Sequence, residues 1–285
     1  MLLFKNILIP VDFSISTEIA VKKGIELSDN NGSTIHLLHV VNPQRLGNII
    51  SIGNQFISSS NKYYNDNNIM VKLNEWKQSI EEAFPAISVK TWLLTGVVQE
   101  RIIDIAKQIN PQLIIIGKKG NPNFFTFFGT VYPNPLAKST NCPVLTVMTG
   151  SDHSKIKIIV VPIRSFIPKR KIELVAAIAK TYKAKIHLVT SQNKIGNEET
   201  NNNAFLETYA LLKTGLTNPI EYHILKGNNL PKAMLNYAIR IGADMLIANP
   251  SAETKIGRFS GKHINDMLQS SSKLQILSVE PYSGN

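Results

Sequence analysis

Apolar residues recur in this chain in two alternating patterns. Short continuous runs rich in β-branched residues occupy Lys5 to Val11, Thr34 to Val41, Val89 to Leu94, Leu113 to Ile116 and Val144 to Val147. Runs this short and this apolar read as buried strands. Between them lie mixed stretches: one that Ser14 or Asp12 can cap and that runs to about Asp29, one from Lys62 to Phe84, and one from Val98 to Gln108 with Ile102, Ile103, Ile105 and Ala106 on one face. These predict helices. Asn30-Asn31-Gly32, Gly96 and Asn110-Pro111 supply turns, and the polar stretch from Pro43 to about Asn61 reads as a loop. Strands separated by helices predict a doubly wound parallel sheet.

The pattern then repeats. Ile158 to Pro162 matches the run ending at Pro10 at an offset of 152, and Ile186-His187-Leu188-Val189 matches Ile35-His36-Leu37-Leu38 at 151. Met245 to Ala248 matches Leu113 to Ile116, and Ile276 to Val279 matches Val144 to Val147, both at 132. The fall in offset predicts a loop-plus-helix shorter by roughly twenty residues after the second strand of the second copy. Two tandem domains are expected, 1–150 and 151–285, with a linker near Thr149 to Lys155.

Candidate chemistry is concentrated between Gly117 and Val147. Gly117 ends a strand, Gly120 permits a sharp turn, and Gly129-Thr130 precedes a helix. Strand, Gly-rich loop and helix start in that order can hold phosphate on backbone N–H groups and a positive dipole end. Lys118 and Lys119 add charge. The same glycines serve equally well as plain turn residues. Neither G-x-x-x-x-G-K-[ST] nor G-x-G-x-x-G occurs in the chain. The spacing G-x2-G-x8-G-T resembles the nucleotide-binding signature of the universal stress protein family, G-x2-G-x9-G-[ST], one residue shorter in the second spacer. Ile7-Leu8-Ile9-Pro10-Val11-Asp12 resembles that family's first strand and its terminal acidic residue. Leu37 to Val41 resembles its second strand, and Cys142 to Val147 its last.

The resemblance implies, for each copy, a five-stranded sheet of order 3-2-1-4-5 with helices on both faces. It implies pairing of the two copies through their last strands as an intramolecular pseudo-dimer, with a homo-oligomer open as a further assembly. It also implies a site for ATP or a related adenine nucleotide. Asp12 would bond the adenosine moiety and Val40 would flank the base. Gly117, Lys119, Gly120, Gly129 and Thr130 would surround ribose and phosphates, with Val131 adding backbone contacts. Asp12 also suits a helix N-cap, and the two roles are compatible. The following helix has two available starts. Thr130 can be its N-cap, but Pro135 would then be the fifth helical residue, so the better reading makes Asn134 the N-cap and Pro135 the first helical residue. The second copy replaces Asp12 by Arg164, Gly117 by Asn249, Gly120 by Ala252 and Thr130 by Lys262, and keeps only Gly261. A site in the first copy alone is expected, with the second as a structural or regulatory partner.

Composition narrows the class. The 285 residues carry a formal charge of +11, of which residues 1–150 hold +3 and residues 151–285 hold +8. The basic residues of Lys155 to Lys185, Lys169-Arg170-Lys171 among them, are not interleaved with aromatics, so a solvated face is expected and no nucleic-acid partner. One cysteine, Cys142, excludes an internal disulfide and fits a reducing compartment. No secretory leader or membrane-length apolar run is read, so the cytoplasm is the expected location and no membrane partner is expected. His36 and His39, three apart on a strand, face opposite sides and share no metal. The four phenylalanines 124, 125, 127 and 128 read as packing. No metal cluster, paired carboxylates or Ser/His/Asp elbow is apparent. A nucleotide-binding and stress-signalling module is therefore expected. Slow ATP hydrolysis with a divalent ion such as Mg²⁺, or a non-nucleotide interaction protein, are the alternatives.

Overall fold

The computed structural model describes residues 4–29, 31–41, 66–118, 131–151, 155–164, 169–191, 198–226, 229–250, 253–254, 263–269 and 271–281. Each apolar run is a strand: β1 Asn6–Pro10, β2 Ser33–Val41, β3 Ile87–Thr95, β4 Leu113–Lys118 and β5 Val144–Met148. They recur as β6 Ile158–Pro162, β7 Lys185–Ser191, β8 Ile220–Leu225, β9 Met245–Ala248 and β10 Gln275–Ser278. All ten belong to one sheet, in the order β3-β2-β1-β4-β5-β10-β9-β6-β7-β8. Each half has the order 3-2-1-4-5 and is parallel throughout, while β5 and β10 meet antiparallel through Thr146↔Ile276, Leu145↔Leu277 and Val144↔Ser278.

The repeat found in the sequence is also a repeat of register. Leu8↔His36 and Ile7↔Leu113 in the first half become Val160↔His187 and Ile159↔Met245 in the second. Ile114↔Val144 becomes Leu246↔Ile276. A one-residue slip would turn every side chain to the other face, so conserved register between halves means conserved inward positions.

The helices of the first half are α1 Ile15–Leu27, α2 Asp66–Ala83, α3 Val98–Ile109 and α4 Pro133–Thr140. Those of the second are α5 Lys169–Tyr182, α6 Glu198–Gly215 and α7 Leu230–Arg240. Helix α2 and its counterpart α6 are both 18 residues long. The shortening expected for loop and helix together therefore falls on the chain before the helix, 42–65 against 192–197, outside the described residues. One continuous apolar layer under α1, α2, α5 and α6 joins residues of both halves, from Ile9 and Leu113 to Val161 and Leu277. The opposite face has two separate layers, one around Ile102 and Leu136, the other around Met234 and Leu246.

Two outcomes follow from this packing. Leu277 is 1% exposed in the middle of the β5–β10 junction, so Leu277→Ala should cost about 2–5 kcal/mol in chemical denaturation. His36 on β2 is buried, and its Nδ1 accepts a hydrogen bond from Trp92 Nε1 at 3.1 Å. Burial, helped by Lys90, lowers its pKa from 6.5 to about 4. Between those two values the unfolded imidazole takes up a proton that the folded one refuses, so stability should fall as pH drops from 6.5 to about 4. Denaturation titrations across this window should show a weaker pH dependence in His36→Gln.

Candidate functional site

In an open parallel sheet of this order, the crevice between the first and fourth strands is where ligands sit, because the connections leave those strands toward opposite faces. Asp12 lies two residues past β1. The turn before it is anchored by His39, whose Nδ1 donates to the Val11 carbonyl at 2.8 Å. The turn after it is made by Phe13, which has a left-handed φ of 57°. That conformation costs a non-glycine residue about 1–3 kcal/mol and persists only where surroundings enforce it. The Phe13 ring stacks on His39 at 5.3 Å and meets the edge of Trp76 at 5.3 Å. Sequence reading missed Phe13, because nothing in an isolated Asp-Phe-Ser marks a positive φ.

This turn folds Asp12 back over the start of α1. Its Oδ1 accepts the Ser14 N–H at 3.0 Å and the Thr17 hydroxyl at 3.2 Å, while Ser14 is the N-cap. Oδ2 has no hydrogen-bond partner among the described residues. Val40, in line with Asp12 on the neighbouring β2, is 4% exposed and packs with Leu38 and Ile102.

Gly117, on β4, has a packing role of its own. A Cβ there would stand 2.0 Å from the Ser16 carbonyl oxygen, so only glycine lets the first turn of α1 lie on the strand end. Lys118 turns away toward the second half, where its Nζ reaches Asp266 Oδ1 at 2.8 Å and the Asn265 carbonyl at 3.1 Å. Burial raises the Asp266 carboxyl, but the Lys118 ammonium and the His263 N–H outweigh it and hold the group below its ordinary value. Lys118 thus joins the halves instead of charging the loop. Lys119, Gly120, Gly129 and Thr130, with the four phenylalanines, lie outside the described residues. Val131 is half-buried against the α3 and α4 layer.

Neither expected start of the next helix is found. Tyr132 is the N-cap of α4, and Pro133 and Pro135 both fall in its first turn, where a missing N–H breaks no helix bond. Asn134 is buried within the helix, where its Oδ1 accepts from Ser278 Oγ at 2.9 Å and Asn265 Nδ2 at 3.3 Å. Two of the first three helical residues therefore lack an N–H, which leaves this helix terminus a poor anion binder.

The equivalent crevice of the second half is filled by the chain. Arg164 lies two residues past β6, as Asp12 does past β1. At the end of β9, the Glu253 carboxylate accepts the N–H of Asn249, the counterpart of Gly117, at 2.7 Å. The same carboxylate binds Lys171 Nζ at 2.8 and 2.9 Å, and that ammonium also donates to the Pro162 carbonyl at the end of β6. Lys171 and Glu253 are 2% and 1% exposed. Burial pushes the Lys171 ammonium down, and the Glu253 carboxylate opposes that shift. The position matching Lys171 in α1 is Ile19, and that matching Glu253 is Asn121. Of the basic run Lys169-Arg170-Lys171, Lys169 is exposed as a solvated face requires, but the rest of the run is not. Lys171 is buried, and Arg170 donates to the Asn141 carbonyl and side chain, both at 2.8 Å.

Comparison with known proteins agrees with this architecture. The model of the universal stress protein family matches residues 3–148. A universal stress protein of Methanocaldococcus jannaschii is 30% identical over 158 residues, spanning 51% of this chain and 95% of the relative. A universal stress protein A homolog of Coxiella burnetii is 24% identical over 149 residues, spanning 50% of this chain and 96% of its own length. Over the whole chain, the crystal structure of a universal stress protein from Archaeoglobus fulgidus has the same fold, with a TM-score of 0.63 at 15% identity, covering 99% of this chain and 98% of that one. Fold and strand-end crevice are those of a doubly wound α/β protein. The chain belongs to the universal stress protein family.

The buried pair gives a direct test. Lys171→Met strands the Glu253 carboxylate and should cost about 3–5 kcal/mol in denaturant unfolding. Adding Glu253→Gln should restore part of that loss, because the neutral amide oxygen still accepts the Asn249 N–H and no buried charge is left to solvate.

Proposed function

We propose that this protein is a tandem universal stress protein, with domains 1–150 and 151–285, that binds one adenine nucleotide, ATP or a close relative, in its first domain and acts as a stress-signalling module. The observation that carries this reading is the contrast between its two crevices. In the second, a carboxylate of the chain occupies the strand-end N–H and a lysine closes the gap between β6 and β9. In the first, the counterparts are Ile19 and Asn121, and Asp12 keeps one carboxylate oxygen without a partner among the described residues. Asp12 Oδ2 can accept from a ribose hydroxyl or a base amino group. The Gly120-containing loop is the candidate for the phosphates, since α4 contributes few amides. The β5–β10 junction supports an intramolecular pairing of the two domains. Arg170 and Lys171 are engaged within the protein, which argues against a nucleic-acid partner.

Isothermal calorimetry with ATP, with and without Mg²⁺, tests the reading. One nucleotide per chain is expected. Asp12→Asn keeps an oxygen to accept from Ser14 and Thr17 but removes the charge, so α1 stays capped while binding weakens by ~1–3 kcal/mol. Gly120→Val should abolish binding by placing a branched side chain where phosphate must approach. Two sites per chain, or one indifferent to both substitutions, would overturn the placement. No binding at millimolar ATP would leave the interaction-protein reading in its stead.

A further inference from the structure

A second cluster of ligand-type side chains lies away from both crevices, on the outer strands of the second half. His187 on β7 pairs with Glu221 on β8, and His223 follows two residues later on the same face. Glu221 Oε2 stands 3.7 Å from His187 Nδ1 and 3.6 Å from His223 Nε2, and the three residues bring one ligand atom each to within 4.8 Å of one another. The His187 side chain is 8% exposed. Its Nε2 and that of His223 are buried without a hydrogen-bond partner among the described residues. An unpartnered His223 Nε2 beside a carboxylate is a costly arrangement unless something completes it.

The first half serves as an internal control. In the same register, His36 pairs with Lys90, and Trp92 follows two residues later. There the tryptophan N–H satisfies the histidine at 3.1 Å, and a lysine stands where the second half has a glutamate. The shared position is thus a histidine in both halves. Lysine and tryptophan, which repel or ignore a cation, are replaced by glutamate and histidine, which ligate one. The replacement is also matched in the helix above, where Ile105 of α3 corresponds to Tyr237 of α7. Tyr237 Oη is 2.8 Å from His187 Nδ1. As a donor it keeps a lone pair on that nitrogen, and an entering ion takes the hydroxyl's place.

From this geometry we infer that His187 Nδ1, His223 Nε2 and Glu221 Oε2 form a binding site for one divalent transition-metal ion of the Zn²⁺ class. Imidazole and carboxylate suit such ions. Three protein ligands leave the fourth tetrahedral position to solvent. At bond lengths of about 2.0–2.2 Å, ligand atoms lie about 3.4 Å apart, so the two edges to Glu221 need to close by only a few tenths of an ångström. The third edge closes by rotation of the His223 ring, whose 38% exposure leaves it room, and the ion enters from the open edge of β8. Lys185 binds the other oxygen, Glu221 Oε1, at 2.8 Å and so leaves Oε2 to the imidazoles.

The test uses the full chain without a histidine tag, stripped with chelator and titrated with Co²⁺ and then Zn²⁺. One equivalent of Co²⁺ should develop the visible absorption of a tetrahedral site, and one equivalent of Zn²⁺ should remove it. His223→Gln and Glu221→Gln, both at half-exposed positions, should keep the wild-type circular dichroism and bind at least tenfold more weakly. His223→Trp, the first-half residue at this register, should do the same. Absence of Co²⁺ or Zn²⁺ binding at millimolar ion, or binding that persists unchanged in these folded variants, would overturn the site.

Discussion

A parallel sheet built in the order 3-2-1-4-5 ends on its last strand, and that strand presents a row of unpaired N–H and C=O groups to whatever lies beside it. Here β5 and β10 pair these two edges with each other. Leu145, Thr146, Leu277 and Ser278 are all at most 1% exposed, a burial that neither half could provide alone. Two polar groups trapped at the junction are met across it, with Ser278 and Asn265 both donating to Asn134 Oδ1. Because the junction is antiparallel, the carboxyl ends of the first five strands face the opposite way from those of the second five. The head of each half therefore meets the foot of the other. Lys118 at the carboxyl end of β4 reaches Asp266 ahead of β10, and Arg170 reaches Asn141 ahead of β5.

The two halves treat the crevice between their first and fourth strands in opposite ways. In the second half an ammonium and a carboxylate are taken out of water, which is costly unless every lone pair and proton finds a partner. Here the three ammonium protons are all used, on both Glu253 oxygens and the Pro162 carbonyl, and Glu253 also takes the Asn249 N–H. The carboxylate is an internal anion on a strand-end amide, the kind of group that such an amide otherwise offers to a ligand. In the first half the strand end is shaped by a strained Phe13, a glycine that admits the α1 backbone, and an aspartate only half used by its own helix. Strain and incomplete satisfaction gather at this crevice, whereas the second is saturated.

The sequence by itself determined the strands, their alternation with helices, the doubling of the pattern and the equivalence of positions between halves. β-branched runs and turn residues act locally, and burial on both faces of a parallel strand writes itself into consecutive residues. Aspartate at the end of β1 and glycine at the end of β4 were legible for the same reason, as each follows directly on such a run. Tertiary structure decided the fate of the polar residues. Lys171 belongs to a basic run that reads as surface, and only the approach of Glu253, 82 residues away, makes it a buried ion partner. Asn134 suits a cap, but the opposing edge of β10 draws it inward and the helix starts earlier, at prolines that need no N–H there. His187 and the Glu221–His223 pair become neighbours only through the β7–β8 register. A polar side chain's role depends on which partner removes it from water, and in a parallel sheet that partner always lies across a long connection.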